Sequence, residues 1–147
     1  YSALDEISIV YDEQSFTMIE YVQLGLGSKQ RYFQLEKVVI NFFDNGTYKI
    51  ESDLIFEPPR YSKKNLFHIW NANNSLLEKI QKGIELKPSE MVDMEYLPDS
   101  YLICYLNGFD EAKEQMEMAR GLLKNKYPEI YLGIKESLRI IRKVRYN

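Results

Sequence analysis

Alternating apolar and polar residues in the first half of the chain predict β-strands. Residues 6–11 form a short run rich in β-branched side chains. Residues 16–26 carry apolar side chains at every second position of one face, and only Glu20 interrupts that face. A period of two is typical of a strand with one buried side. Gly25, Gly27 and Ser28 then supply a turn.

Residues 31–56 give the strongest local signal and predict a β-hairpin. Its apolar positions are Val38, Ile40, Phe42, Tyr48, Ile50, Leu54 and Phe56. The turn between the two strands has the sequence Asp-Asn-Gly at residues 44–46, which tolerates positive φ. We expect one face of this hairpin to be buried and the other to face solvent. Pro58 and Pro59 end the second strand, because proline cannot donate to a ladder.

Residues 66–70 (LFHIW) admit two interpretations. In the first interpretation they form a third strand, followed by a polar loop and by a short helix that Ser75 caps and Gly83 ends. Alternatively they open a helix that is capped by Ser62 and runs to Lys82. We favour the strand.

The second half of the chain is predicted to be mostly helical. Residues 88–99 are acidic and without a regular pattern, and residues 101–106 (YLICYL) are apolar on both faces, which indicates a buried strand. Asp110 is positioned to cap a helix that runs to about Lys124, and Pro128 to open a last helix. The apolar faces of these two helices are Ala112, Met116, Ala119 and Leu123, and Tyr131, Ile134, Leu138 and Ile141.

This order of elements predicts an α+β fold. The strands come in a run rather than alternating with long helices, so we expect an antiparallel sheet of N-terminal hairpins with the C-terminal helices packed on one face. No internal repeat or linker divides the chain, and residues 1–147 are predicted to form a single domain.

Composition excludes several classes of protein. The 147 residues are 45% apolar and 28% charged, with a net charge of −3, which is unlike collagenous, disordered or disulfide-stapled chains. One cysteine and one histidine cannot build a four-ligand zinc site of the Cys/His type. No apolar run is long enough for a membrane-spanning helix. No cofactor is expected.

The candidate catalytic residues are few. His68 lies in an apolar run without a partner that the sequence names, so we expect a packed or surface histidine. Cys104 is expected to be a buried, inert thiol. Asp93 and Glu95 could coordinate calcium or act as an acid/base pair, but a solvated acidic loop is the expectation. The sequence therefore predicts no enzyme.

Charge is distributed unevenly along the chain. Residues 1–60 hold ten acids and five bases, residues 88–118 hold eight acids and one base, and residues 124–147 hold seven bases and two acids. We expect the basic last helix to pair within the protein or to face solvent. The acidic balance argues against nucleic acid as a partner.

Tyrosine is abundant, with 12 residues, and it favours protein contacts. Tyrosine provides a large contact area at little entropic cost, and an acidic, tyrosine-rich face suits an inhibitor of a basic enzyme. Alternation and charge give the candidate partner-binding residues, which are Asp12, Glu13, Tyr21, Glu51, Asp53 and Tyr61, with Asp93 and Glu95 as a second patch.

Two segments carry a resemblance to a known family. Residues 7–13 (ISIVYDE) and 47–59 (TYKIESDLIFEPP) resemble small immunity proteins of Gram-positive bacteria, which neutralise secreted antibacterial toxins of the LXG type. The resemblance implies a non-enzymatic protein that occludes the active site of a partner toxin. It carries over no functional residue.

Other functions stay open at this point. One is a small-ligand-binding α+β domain with an aromatic-lined pocket, whose predicted lining is Phe42, Tyr48, Trp70 and Tyr105. Others are a hydrolase that uses Glu90, Asp93 or Glu95, and a structural subunit of a phage or secretion assembly. A chain that begins at Tyr1 rather than Met indicates that an upstream segment was removed. A cell-surface or extracytoplasmic location is therefore open beside a cytoplasmic one.

Overall fold

A computed structural model describes residues 2–4, 10–12, 15–25, 31–53 and 60–145. Three predictions lie outside the described residues in whole or in part. The strand end at Pro58 and Pro59 lies wholly outside them, as do residues 6–9 of the predicted strand at 6–11 and residues 26–28 of the predicted turn at 25–28.

Five antiparallel strands form the N-terminal sheet. They are β1 (Ser2–Leu4), β2 (Val10–Asp12), β3 (Ser15–Leu24), β4 (Arg31–Phe42) and β5 (Tyr48–Asp53). The order across the sheet is β1-β3-β4-β5, and β2 pairs with the other half of β3 on the same side as β1. The predicted strand at residues 16–26 is confirmed as far as Leu24, and the predicted hairpin at residues 31–56 as far as Asp53. Leu26, Leu54 and Phe56 lie outside the described residues.

A β-bulge interrupts the long β3–β4 ladder. Glu20 pairs with Glu36 and Tyr21 with Gln34, so Leu35 is the extra residue on β4. A bulge lets two consecutive side chains of one strand serve the same face. Leu35 is fully buried, while the neighbouring Glu36 reaches the last helix of the chain.

Five helices follow the sheet. They are α1 (Lys63–Gln81), α2 (Pro88–Glu95), α3 (Leu97–Leu106), α4 (Glu111–Leu123) and α5 (Pro128–Arg145). With an antiparallel sheet first and helices afterwards, the predicted α+β class is confirmed.

The core is centred on α3. This helix contacts α1, α4 and α5, and its residues from Leu97 to Cys104 are all buried. From the sheet, Val22, Leu24 and Leu35 join the same buried cluster. The predicted apolar faces of α4 and α5 are confirmed, since seven of their eight residues are buried and Tyr131 is partly buried against the core.

The predicted strand at residues 66–70 is wrong, and the helical alternative is the observed one. The Ser62 side chain accepts a hydrogen bond from the Asn65 N–H at 3.3 Å and caps α1. Because Leu66, Leu76 and Leu77 then recur on one buried face, helical packing outweighs the strand propensity of the short run. Ser75 lies inside this helix and caps nothing.

The predicted buried strand at residues 101–106 is also wrong, although the burial is right. A helix at the centre of a helical layer is apolar on all sides, and over six residues its pattern is the same as that of a buried strand. Residues 88–99, predicted to be irregular, form α2 and the start of α3, each with a proline in its first turn. Proline there costs no hydrogen bond.

Candidate functional site

The hairpin of β4 and β5 exposes a group of large apolar side chains, which we name the hairpin patch: Phe42, Tyr48 and Ile50. Phe42 is 51% exposed, Tyr48 64% and Ile50 57%. The register pairs Phe42 with Tyr48, and their ring centroids lie 6.5 Å apart. The sheet therefore holds these side chains together in solvent.

A short turn holds the end of the hairpin. The Phe43 N–H donates to the Thr47 carbonyl at 2.9 Å, and Gly46 has a φ of +82°. The Asn45 side-chain oxygen accepts from the Thr47 N–H at 3.1 Å and from the Thr47 hydroxyl at 2.6 Å. These bonds fix the turn that the Asp-Asn-Gly sequence predicted.

The predicted burial of the apolar hairpin face is wrong for β5. All six residues of β5 are exposed, although the period of two is present as predicted. The buried part of the sheet ends near the bulge, where Val22, Leu24 and Leu35 lie under the helices. The hairpin extends past this covered part, and the alternation of its sequence carries no information about where the helical layer stops.

A cluster of charged side chains lies on the same face, between the buried part and the hairpin patch. Arg139 donates to Glu20 at 2.7 Å and also pairs with Glu136. Lys143 donates to Glu20 at 3.0 Å and to Glu36 at 2.7 Å. Glu20, which broke the apolar alternation of its strand, thus has its partners on α5. The expected intramolecular pairing of the basic helix is confirmed for these two cations.

The cluster shifts the acidity of its members. Burial raises the pKa of Glu20, but the hydrogen bonds from Arg139 and Lys143 outweigh it and leave that pKa below its usual value. The hydrogen bond from Lys143 lowers the pKa of Glu36, and a bond of 2.9 Å from the Ser52 hydroxyl adds to this. All four groups are therefore charged at neutral pH, and the cluster joins sheet to helix.

Three of the predicted partner-binding residues share the other face of the sheet. The register and the alternation of strand side chains place Tyr21, Glu51 and Asp53 together there. Each of the two carboxylates has a lysine beside it. Lys49 lies 3.2 Å from Glu51, and Lys37 is the cross-strand neighbour of Asp53.

The other predicted partner-binding residues lie elsewhere. Tyr61 precedes α1 and is partly buried against the core, with its N–H donating to the Asn107 side chain at 3.4 Å. Asp93 and Glu95 are exposed on α2, which was predicted to be a loop. Asp12 ends β2, and Glu13 lies outside the described residues. The structure therefore distributes the predicted residues over several surfaces.

A second feature, a groove of about 520 Å³, lies between α1, α2 and the start of α3. Its polar lining includes His68, Asn73, Ser75, Asp93, Tyr96 and Ser100. Asn73 is 5% exposed, and its Nδ2 group has no hydrogen-bond partner among the residues that the structure describes. At the rim, Lys79 donates to Glu90 at 2.5 Å. Sequence reasoning missed this groove because the region was predicted as strand and loop.

The aromatic residues proposed to line one pocket do not come together. Trp70 packs edge-on against Tyr101 and Phe109, with ring centroids 5.8 and 5.7 Å away. Phe42 and Tyr48 belong to the hairpin patch. These residues therefore do not form the common pocket that would have supported the ligand-binding alternative.

Two ionisable side chains, those of Cys104 and Asp99, are buried in α3. Cys104 is fully buried as predicted, and burial raises the pKa of its thiol to about 12. Asp99, which the sequence placed near the candidate carboxylates Asp93 and Glu95, is fully buried in the first turn of α3. Burial raises the pKa of its carboxyl to about 6, and a hydrogen bond with the Gly25 backbone opposes this in part.

The described residues form neither a metal site nor a membrane-spanning helix. Across the described ranges, no three His, Cys, Asp or Glu side chains lie close enough to hold a metal ion together. None of the helices there is both long and apolar enough to cross a membrane.

Comparison with known proteins gives a family and nothing further. No curated protein and no solved structure is significantly similar to the chain. Residues 1–147 match the family model described as a domain of unknown function, DUF5929, and the chain therefore belongs to that family.

Proposed function

We propose that this domain is a non-enzymatic protein-binding module that uses the hairpin patch as its contact surface. The observation that carries the proposal is the exposure of Phe42, Tyr48 and Ile50 side by side on one face. Apolar side chains grouped in solvent mark interaction sites more often than isolated ones do. Aromatic anchors of this kind dominate the energetics of protein interfaces.

We further propose that the partner is an enzyme and that the domain acts as its inhibitor, as an immunity protein does for a toxin. The hairpin extends beyond the helical layer and ends in a tight turn with Asp44 and Asn45 at its tip. Such a projection has the shape to enter a concave active site, with Phe42 and Tyr48 packing against its wall. The resemblance of residues 47–59 to immunity proteins supports the same proposal.

Capture of the partner with matched baits tests the proposal. The wild type and two variants are used as baits against the lysate and secreted fraction of the source organism, with mass spectrometry of the bound proteins. The patch variant carries Phe42→Ser and Tyr48→Ser. The control is Tyr32→Ser, because Tyr32 is 57% exposed but lies on the other face of the sheet.

We expect one stoichiometric partner that binds the wild type and Tyr32→Ser but not the patch variant, and whose activity falls when this protein is added. Two outcomes contradict the proposal. One is a partner that the patch variant retains, and the other is the absence of any partner above background.

The groove supports a second candidate, the binding of a small ligand. The buried Nδ2 group of Asn73 lacks a partner in the described part of the chain, and a ligand carbonyl or carboxylate would satisfy it. Asp93 on the opposite wall would accept from an amine or hydroxyl of the same ligand. A thermal-shift screen with Asp93→Ala tests this, with Glu95→Ala as control on the same helix. We expect compounds that raise the melting temperature of the wild type and of Glu95→Ala to leave Asp93→Ala unchanged.

A further inference from the structure

Strand β5 forms an edge of the described sheet. In the described part of the sheet, β5 is the last strand after β4, and it is exposed along its whole length. An edge strand of this kind presents unpaired N–H and C=O groups, and it is a template on which another strand can pair. The sequence of the strand then decides which partner strand fits.

The ladder fixes which residues of β5 offer backbone groups to such a partner. The Phe43 N–H donates to the Thr47 carbonyl, and hydrogen-bonded pairs alternate along an antiparallel ladder. The backbone N–H and C=O groups of Lys49 and Glu51 therefore point inward and bond to β4. The backbone groups that point away from the sheet belong to Tyr48, Ile50 and Ser52.

We propose that β5 pairs with β5 of a second copy of this chain, antiparallel and about a two-fold axis at Ile50. Ile50 then faces Ile50 of the second copy in a hydrogen-bonded pair, since its N–H and C=O point outward. On either side, Lys49 faces Glu51 of the second copy in a non-hydrogen-bonded pair, in which side chains approach most closely. The strand is thus complementary to itself in charge.

Other registers do not have this complementarity. A shift of the register by two residues sets Lys49 opposite its own copy in one direction. In the other direction Glu51 faces its own copy, although Lys49 then faces Asp53 of the second copy. Like charges directly opposite each other destabilise a pair of strands. A shift by one residue sets Ile50, whose N–H and C=O point away from the sheet, opposite a residue whose N–H and C=O point towards β4. The two backbones then cannot form hydrogen-bonded pairs. The charges of the strand therefore favour the register centred on Ile50, because it contains opposite-charge pairs and no like-charge pair.

This pairing goes beyond the proposed function because it uses the edge of β5 and leaves its faces open. Lys49 and Glu51, which lie 3.2 Å apart within one strand, would each gain a partner across the dimer. The two hairpin patches would lie side by side on a continuous sheet, with Tyr48 and Ile50 of both copies at its centre. A two-fold interface of this kind closes and does not propagate.

Charge reversal tests the pairing in the whole chain. The oligomeric state is measured by sedimentation equilibrium across a range of concentrations for the wild type, Lys49→Glu, Glu51→Lys and the double variant. Each single reversal sets like charges opposite each other twice in the dimer, so we expect each to weaken dimerisation by at least about tenfold. The double variant restores complementarity and is expected to dimerise as the wild type does.

Mixing the two single variants provides the decisive control. Lys49→Glu and Glu51→Lys are complementary to each other, so we expect a heterodimer in the mixture although neither variant dimerises alone. Formation of that heterodimer also shows that both variants are folded. In the dimer, the amides of Tyr48, Ile50 and Ser52 are expected to gain protection from hydrogen exchange.

A monomeric wild type at all concentrations overturns the proposal, and so does a dimer that both single reversals leave unchanged. Neither result bears on the proposed function, because partner capture depends on Phe42 and Tyr48 and is compared with Tyr32→Ser.

Discussion

The two ends of the sheet have the same strand pattern and different surroundings. At the packed end, Val22, Leu24 and Leu35 are buried under the helices. At the hairpin end, Phe42 and Ile50 occupy equivalent apolar positions and are more than half exposed. The cluster of Glu20, Glu36, Arg139 and Lys143 lies between them. Apolar alternation therefore specifies a strand with one apolar face, while the length of the helical layer decides which part of that face is buried in the core.

The largest expected effect is the loss of stability when a side chain is truncated at the packed end rather than at the hairpin end. Leu35→Ala leaves a cavity in the buried cluster and is expected to lower the free energy of unfolding by about 2–5 kcal/mol. Ile50→Ala, at the exposed end, is expected to change it by less than about 0.5 kcal/mol. Urea unfolding of dilute protein measures both. Equal losses at the two positions would mean that the hairpin patch is part of the core.

The charged cluster gives the next effect. Glu20→Gln removes a carboxylate that holds Arg139 and Lys143, and we expect a loss of about 1–3 kcal/mol at pH 7. Glu51→Gln, which disrupts the exposed pair with Lys49, is the matched control and is expected to cost less than about 0.5 kcal/mol in the monomer.

The pH dependence of this contribution has a definite sign. The pKa of Glu20 is lower in the folded state than the usual 4.5, so its contribution is complete above that pH and is lost as the pH falls through the lowered folded pKa. The difference in stability between the wild type and Glu20→Gln should therefore shrink in acid. A difference that stays constant down to acid pH would contradict this assignment.

Asp99 gives an effect of opposite sign at the packed end. Its pKa is raised by burial from 3.8 to about 6, so the folded state holds a proton that the unfolded state releases. Stability from this group is highest below pH 3.8 and is lost as the pH rises to about 6. We expect Asp99→Asn to remove this part of the pH dependence, measured by urea unfolding between pH 3.5 and about 7. An unchanged pH profile in the variant would contradict the assignment.

The sequence predicted the fold class because its strongest patterns are long. The hairpin of β4 and β5 and the helices α4 and α5 carry their period over many residues, and tertiary packing agrees with it. Residues 66–70 and 101–106 were misassigned because five or six apolar residues fit a buried helix as well as a strand. Their helical state depends on the Ser62 cap and on neighbours that lie far away in the sequence.

The candidate site was less predictable than the fold. The sequence identified Phe42, Tyr48 and Ile50 as one face of a strand, but it placed that face in the core. Whether a strand face is covered depends on where α5 ends over the sheet, and no local pattern encodes that. The groove beside Asn73 was missed for a related reason, since its walls include helical residues that were predicted to form a strand and loops.

Residue-resolved amide hydrogen exchange of dilute protein tests the contrast between the two ends most directly. The amides of Val22 and Leu24 are expected to exchange only through large-scale unfolding, because both residues belong to the β3–β4 ladder where the helices cover it. The inward amides of Lys49 and Glu51 are expected to exchange at least about a hundredfold faster, through local opening of β5. Equal protection at both ends would contradict the account, because it would show that the hairpin is supported as firmly as the core.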